Sequence, residues 1–135
     1  MRVFNYIKQY ILGKDISSRL SIERLNSVEE FYETDFSNVG YTSGGLLQRI
    51  IPWNYAAIVF INTINYRIGY EWLINDDLTL AEELWHVNQW RTHGFIKLPI
   101  IYLMELRKHG YEGNAYEKEA KRMAKEYLNY KIKKK

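Results

Sequence analysis

Residues 53–67 are dense in β-branched and aromatic side chains, with Ile58, Val59, Phe60, Ile61, Thr63, Ile64 and Tyr66 in close succession. These residue types suit a pleated, half-buried surface, so the run predicts one or two strands with a turn near Asn62 or Asn65. The segments on either side carry helical spacing and helix punctuation instead. The chain is thereby confined to a helix-rich α+β fold with one small sheet packed on helices.

The helices are bounded by specific residues. Residues 3–12 place Phe4, Ile7, Ile11 and Leu12 along one helical face, and Gly13 is a natural stop. Ser27-Val28-Glu29-Glu30 matches a capping box, which predicts a second helix from Ser27 to about Thr34. Residues 35–45 contain Gly40, Gly44 and Gly45 and are expected to be turns without a regular element. Asn75-Asp76-Asp77 offers an N-cap for a helix over residues 78–92 that Gly94 closes. Pro99 opens a further helix over 100–108 ending at Gly110, and residues 116–130 form the last one.

At 135 residues the chain has the length of a single domain with room for a core. An apolar share of 47% with 26% charged residues places it among folded chains rather than disordered ones. No cysteine is present, so any metal must be held by nitrogen and oxygen ligands. No apolar run is long enough to span a bilayer, and Lys8, Gln9 and Lys14 interrupt any signal-peptide core, which implies a cytoplasmic or virion-associated protein. The net charge of +3 is unevenly spread, because the chain ends in Lys131-Ile132-Lys133-Lys134-Lys135. Such a tail is a solvated end or a contact for an acidic surface or nucleic acid.

The chemistry-bearing residues lie on the helix after Asp77. Glu82 and His86 are four residues apart and share a face one turn apart, the spacing by which a helix presents two ligands to one ion. Glu83 lies about 100° further round, placed to touch a metal-bound water rather than the ion. In an H-E-x-x-H helix that glutamate is the general base. Here the first histidine position is occupied by Glu82. By itself the pattern is also compatible with a packed histidine among helix-surface glutamates.

The wider run Ala81-Glu82-Glu83-Leu84-Trp85-His86-Val87-Asn88-Gln89-Trp90 resembles the H-E-L-x-H-V-x-Q-W segment of small bacterial zincin-like metallopeptidase domains. Residues 31–39 followed by Ala56-Ala57-Ile58-Val59 resemble that family's helix, Asp-containing turn and strand ahead of the metal helix. His109-Gly110-Tyr111 and Asn114-Ala115-Tyr116-Glu117-Lys118-Glu119-Ala120 resemble its N-P-F-E-x-E-A segment. The resemblance spans residues 27–122 and implies a minimal zincin-like fold. It assigns Glu83 as general base, His86 as second metal ligand and Glu117, ahead of Glu119, as third ligand. Two positions depart from the family pattern: Ala115 stands for the usual proline, and Glu82 for the first histidine ligand.

Glu82, His86 and Glu117 form a ligand set with two carboxylates, which cancel the double charge of a divalent ion. Its bound water is then less acidic than in a two-histidine site, and preference moves from zinc toward manganese, magnesium or calcium. Without metal, the carboxyls of Glu82, Glu83 and Glu117 crowd, so one of them should protonate or pair with a cation, Arg91 and Arg122 being candidates. The expectation is a site holding one divalent metal or none.

Two functions follow. The first is a degenerate, non-catalytic zincin-like domain held by protein partners in a larger assembly such as a phage virion. The second is an active metallohydrolase with Glu83 as base and a peptide laid along residues 58–61. On the first reading, residues 1–26 form an N-terminal helix and a connector that need not dock, 27–130 the domain, and 131–135 a basic tail with too much charge to pack on a basic domain, the two ends being contact elements.

Overall fold

The computed structural model describes residues 2–50, 55–94 and 115–134. Helix α1 (Arg2–Leu12) ends at Gly13, whose φ of 87° only glycine adopts without strain. A Cβ on Gly13 would collide with the Ser43 carbonyl, and one on Gly45 with the Gly13 nitrogen and the Ile11 carbonyl. These two glycines let the end of α1 touch the turn after the second strand backbone to backbone. Leu46 N–H donates to the Tyr10 carbonyl at 2.8 Å across that contact.

The segment after α1, expected to be a connector that need not dock, is part of the fold. Strand β1 (Lys14–Asp15) pairs antiparallel with β2 (Gly40–Ser43). Ile16 and Leu25 are buried in the core. Helix α2 (Ile22–Tyr32) starts earlier than the capping box at Ser27 predicts, and the domain boundary drawn at residue 27 falls inside it. Its N-cap is Ser21, whose hydroxyl accepts from Arg24 N–H while its own N–H donates to Asn75 Oδ1 at 2.8 Å. Ser27 sits mid-helix and receives the Tyr127 hydroxyl at 2.8 Å.

Residues 40–43, expected to be turn, form β2 because they pair in parallel with β4 (Thr63–Tyr66). The β-rich run folds as predicted into β3 (Ala57–Phe60) and β4, antiparallel, with the turn at Ile61 and Asn62 rather than Asn65. Between β2 and β3 lies the short helix α3 (Leu47–Ile50). The four-stranded mixed sheet has the order β1-β2-β4-β3.

Asp76 caps helix α4 (Asp77–His93), its carboxylate accepting from Thr79 N–H, and Gly94 terminates it as expected. The final described helix, α5 (Ala115–Lys134), extends past the predicted end at residue 130. Residues 100–108, Trp53 and His109 lie outside the described residues. The molecule is thus helix-rich α+β, with the sheet against α4 and α4 against α5. Leu80, Ala81, Leu84 and Val87 bury one face of α4; Ala120, Ala124 and Tyr127 bury the facing stripe of α5. The small Ala120 and Ala124 let the two backbones approach closely. The pairs Asp77–Lys131, Trp85–Glu119 and Gln89–Tyr116 show that α4 and α5 run antiparallel.

The basic end is docked where it is described. Lys131 pairs with Asp77 at 2.8 Å and Lys134 with Glu30 at 3.0 Å, correcting the expectation that it carries too much charge to pack on the domain. Local acids decide this, not the net charge. Among the described residues no helix is long and apolar enough to cross a membrane.

Candidate metal centre

The antiparallel pairing brings the first turn of α5 opposite the middle of α4, and with it Glu117 opposite Glu82 and His86. Each of the three offers one ligand atom, and all three atoms lie within 4.8 Å of one another. His86 Nε2 stands 3.4 Å from Glu117 Oε1. Ligand atoms around a tetrahedral ion at about 2.0–2.2 Å are about 3.3–3.6 Å apart, so that pair already has the separation zinc requires. The remaining span also suits the wider shell of an ion at about 2.3–2.6 Å. Nitrogen and oxygen donors in this proportion fit a divalent cation.

Three further residues frame the centre. His86 Nδ1 is 2.7 Å from Gln89 Oε1, and Gln89 Nε2 donates to the Tyr116 carbonyl at 3.0 Å and to Glu119 Oε1 at 3.2 Å. Trp85 Nε1 donates to the same Glu119 oxygen at 2.6 Å. Glu119 therefore ties α5 to α4, while Glu117 faces the ligand cluster. The sequence pattern assigns Gln89 and Glu119 no role in this frame. The available signal was spacing: Gln89 is three residues from His86 and Glu119 two from Glu117.

Glu83 is 8% exposed, more buried than Glu82 and His86, and interacts electrostatically with His86 and with the buried Tyr66 of β4. Burial pushes its carboxyl up to about 8, with Glu82 and Glu117 adding to the rise and His86 opposing it. Burial raises Glu82 as well, with Lys121 and His86 holding it down in part. Burial alone would lower the His86 imidazole. The contact with Glu117 and the charges of Glu83 and Glu117 overcome that and push it up to about 9.

The crowded carboxyls thus find relief in a protonated Glu83 and a His86 cation. Arg91 and Arg122 take no part: Arg91 holds the Asp35 carbonyl and Asn38, and Arg122 pairs with Glu126. His93 lies in the last turn of α4 with its ring edge-on to Tyr116 at 5.3 Å.

These shifts predict a pH dependence for the metal-free protein. Between about 4.5 and 8 the native Glu83 keeps a proton that the unfolded chain releases, and between about 6.5 and 9 the same holds for His86. The native state binds more protons in both windows, so stability falls as pH rises. In the presence of a chelator, Tm is expected to drop by about 5 °C or more between pH 6 and 9. Glu83→Gln should shallow the slope, and a Tm flat across that range would contradict the assignment.

No protein-family model, curated protein or solved structure matches this chain at a significant level.

Proposed function

We propose that this chain is a zincin-like domain that holds one divalent cation between Glu82, His86 and Glu117 and serves as a non-catalytic component of a larger protein assembly, a virion being one such setting. The observation that carries the metal reading is the convergence of the three donor atoms from two helices, with His86 Nε2 and Glu117 Oε1 already 3.4 Å apart. Two carboxylates leave a bound divalent ion with no net charge, a poor activator of water and a poor stabiliser of a developing oxyanion. That charge balance favours a binding centre over a peptidase.

The assembly role is supported by side chains that the described residues leave exposed: Tyr6, Ile7 and Tyr10 along α1, and Trp72 in the short 3-10 turn Glu71–Asn75 before α4. Aromatic residues of this kind are enriched where proteins meet. The basic end contributes Lys133, exposed on α5, as a contact for an acidic neighbour or nucleic acid.

Elemental analysis of the purified chain, followed by calorimetric titration with zinc, manganese, magnesium and calcium, tests the metal reading. About one ion per chain is expected, lost in His86→Ala by more than the roughly 10–100-fold that removing an outer-shell partner costs. Binding unchanged in His86→Ala would refute it. The alternative, a metal-dependent hydrolase with Glu83 as base, takes over if the native chain cleaves a denatured protein with added metal and Glu83→Gln abolishes that cleavage.

A further inference from the structure

We infer that Gln89 is the positioning residue of this centre: its one amide selects which nitrogen of His86 faces the ligand cluster and holds the turn that carries Glu117. The argument is a chain of donors and acceptors. Trp85 Nε1 can only donate, so the Glu119 Oε1 it meets at 2.6 Å is an acceptor. The Tyr116 carbonyl oxygen is an acceptor too. Gln89 faces both atoms, and only the NH2 end of its amide satisfies them, at 3.0 and 3.2 Å. A flipped amide would point its oxygen at two other oxygens.

With the nitrogen committed, the carbonyl oxygen of Gln89 is the atom 2.7 Å from His86 Nδ1. An amide oxygen only accepts, so Nδ1 carries a hydrogen. In the neutral ring the lone pair then belongs to Nε2, the nitrogen that stands 3.4 Å from Glu117. Gln89 is 4% exposed, leaving little room for water to replace it. The same NH2 group grips Tyr116, the residue before Glu117, so ring and third ligand are set by one side chain. The consequence for metal rests on the function proposed above; the hydrogen-bond logic stands without it.

Histidine-selective 15N labelling tests this, because the chain has only three histidines. In the zinc-loaded protein, long-range proton–nitrogen spectra should show His86 with its proton on Nδ1 and metal on Nε2. Gln89→Leu should weaken zinc binding by about 10–100-fold and, in the metal-free chain at alkaline pH, let the proton distribute over both nitrogens. Gln89→Glu keeps an acceptor toward Nδ1 while setting its second oxygen against the Tyr116 carbonyl and Glu119 Oε1, so it should keep the Nδ1–H form and still weaken zinc binding.

A wild-type ring protonated on Nε2, or Gln89→Leu binding zinc within about twofold of wild type, overturns the inference. If Gln89→Leu does not fold, the wild-type spectrum and Gln89→Glu decide. If wild type binds no metal, the proposed function falls, and the tautomer of the metal-free ring at alkaline pH still decides this inference.

Discussion

A Glu82→His variant is expected to raise the preference of the site for zinc over magnesium or calcium by a factor on the order of 100, because an imidazole replaces a hard oxygen donor. The change acts on three quantities at once. The ligand set becomes two histidines and one glutamate, leaving the bound ion with a net positive charge. One of the carboxyls that raise Glu83 disappears, so Glu83 ionises at lower pH. The metal-bound water becomes more acidic, since less of the ion's charge is cancelled.

Zinc-dependent cleavage of an unfolded protein substrate is the expected gain, and Glu82→His combined with Glu83→Gln should remove it while zinc stays bound. Competition titrations read the selectivity directly. A variant no more selective for zinc than the native chain would show that residue 82 is not a ligand, whatever happens to activity. A variant that binds zinc selectively but is inert would place the loss of catalysis elsewhere in the site.

The second large effect lies away from the metal. Asn65→Leu is expected to destabilise the fold by roughly 3–6 kcal/mol, from the cost of about 1–3 kcal/mol for each buried polar group left unpaired. Asn65 is fully buried on β4, and its amide nitrogen faces the Leu12 carbonyl at 2.7 Å, Thr42 Oγ1 at 3.0 Å and the Gly44 carbonyl at 3.0 Å. Its oxygen receives the Tyr55 hydroxyl at 3.1 Å. One side chain therefore joins the end of α1, strand β2 and the approach to β3 to the centre of the sheet.

A loss of that size is a large part of the roughly 5–15 kcal/mol that holds a domain together. Asn65→Asp should do no better, because it places oxygen against three acceptors. Urea denaturation followed by tryptophan fluorescence measures the change. A midpoint within error of wild type would mean that the Asn65 hydrogen bonds do not carry the attachment of α1 and that other contacts hold it.

Helix α4 could be read from the sequence alone because every signal for it is local. Asp76 caps it through its own next turn, Gly94 supplies the stop, and the four-residue spacing of Glu82 and His86 is a property of any helix. The β3–β4 hairpin was legible for the same reason: its partners are neighbours in sequence and its residue types suit strands. Where local signals competed, tertiary contacts decided. Ser21 and Ser27 both have glutamate nearby, but Asn75 receives the Ser21 N–H and the core takes Leu25 and Val28, so α2 begins at the earlier serine.

Strand β2 was invisible because residues 40–43 are strand by pairing with β1 and β4, both distant in sequence, and no local propensity reports a non-local ladder. The ends of the chain followed the same rule, with Ile16, Lys131 and Lys134 placed by partners distant in sequence. For the candidate site, the sequence placed Glu82 and His86 on one helix face, and the resemblance pointed to Glu117 as a third carboxylate. That Glu117 meets His86, that Gln89 orients the ring, and that Glu83 is buried deeply enough to keep its proton follow from how α5 packs on α4. Pair distances and desolvation exist only once two helices have excluded water between them.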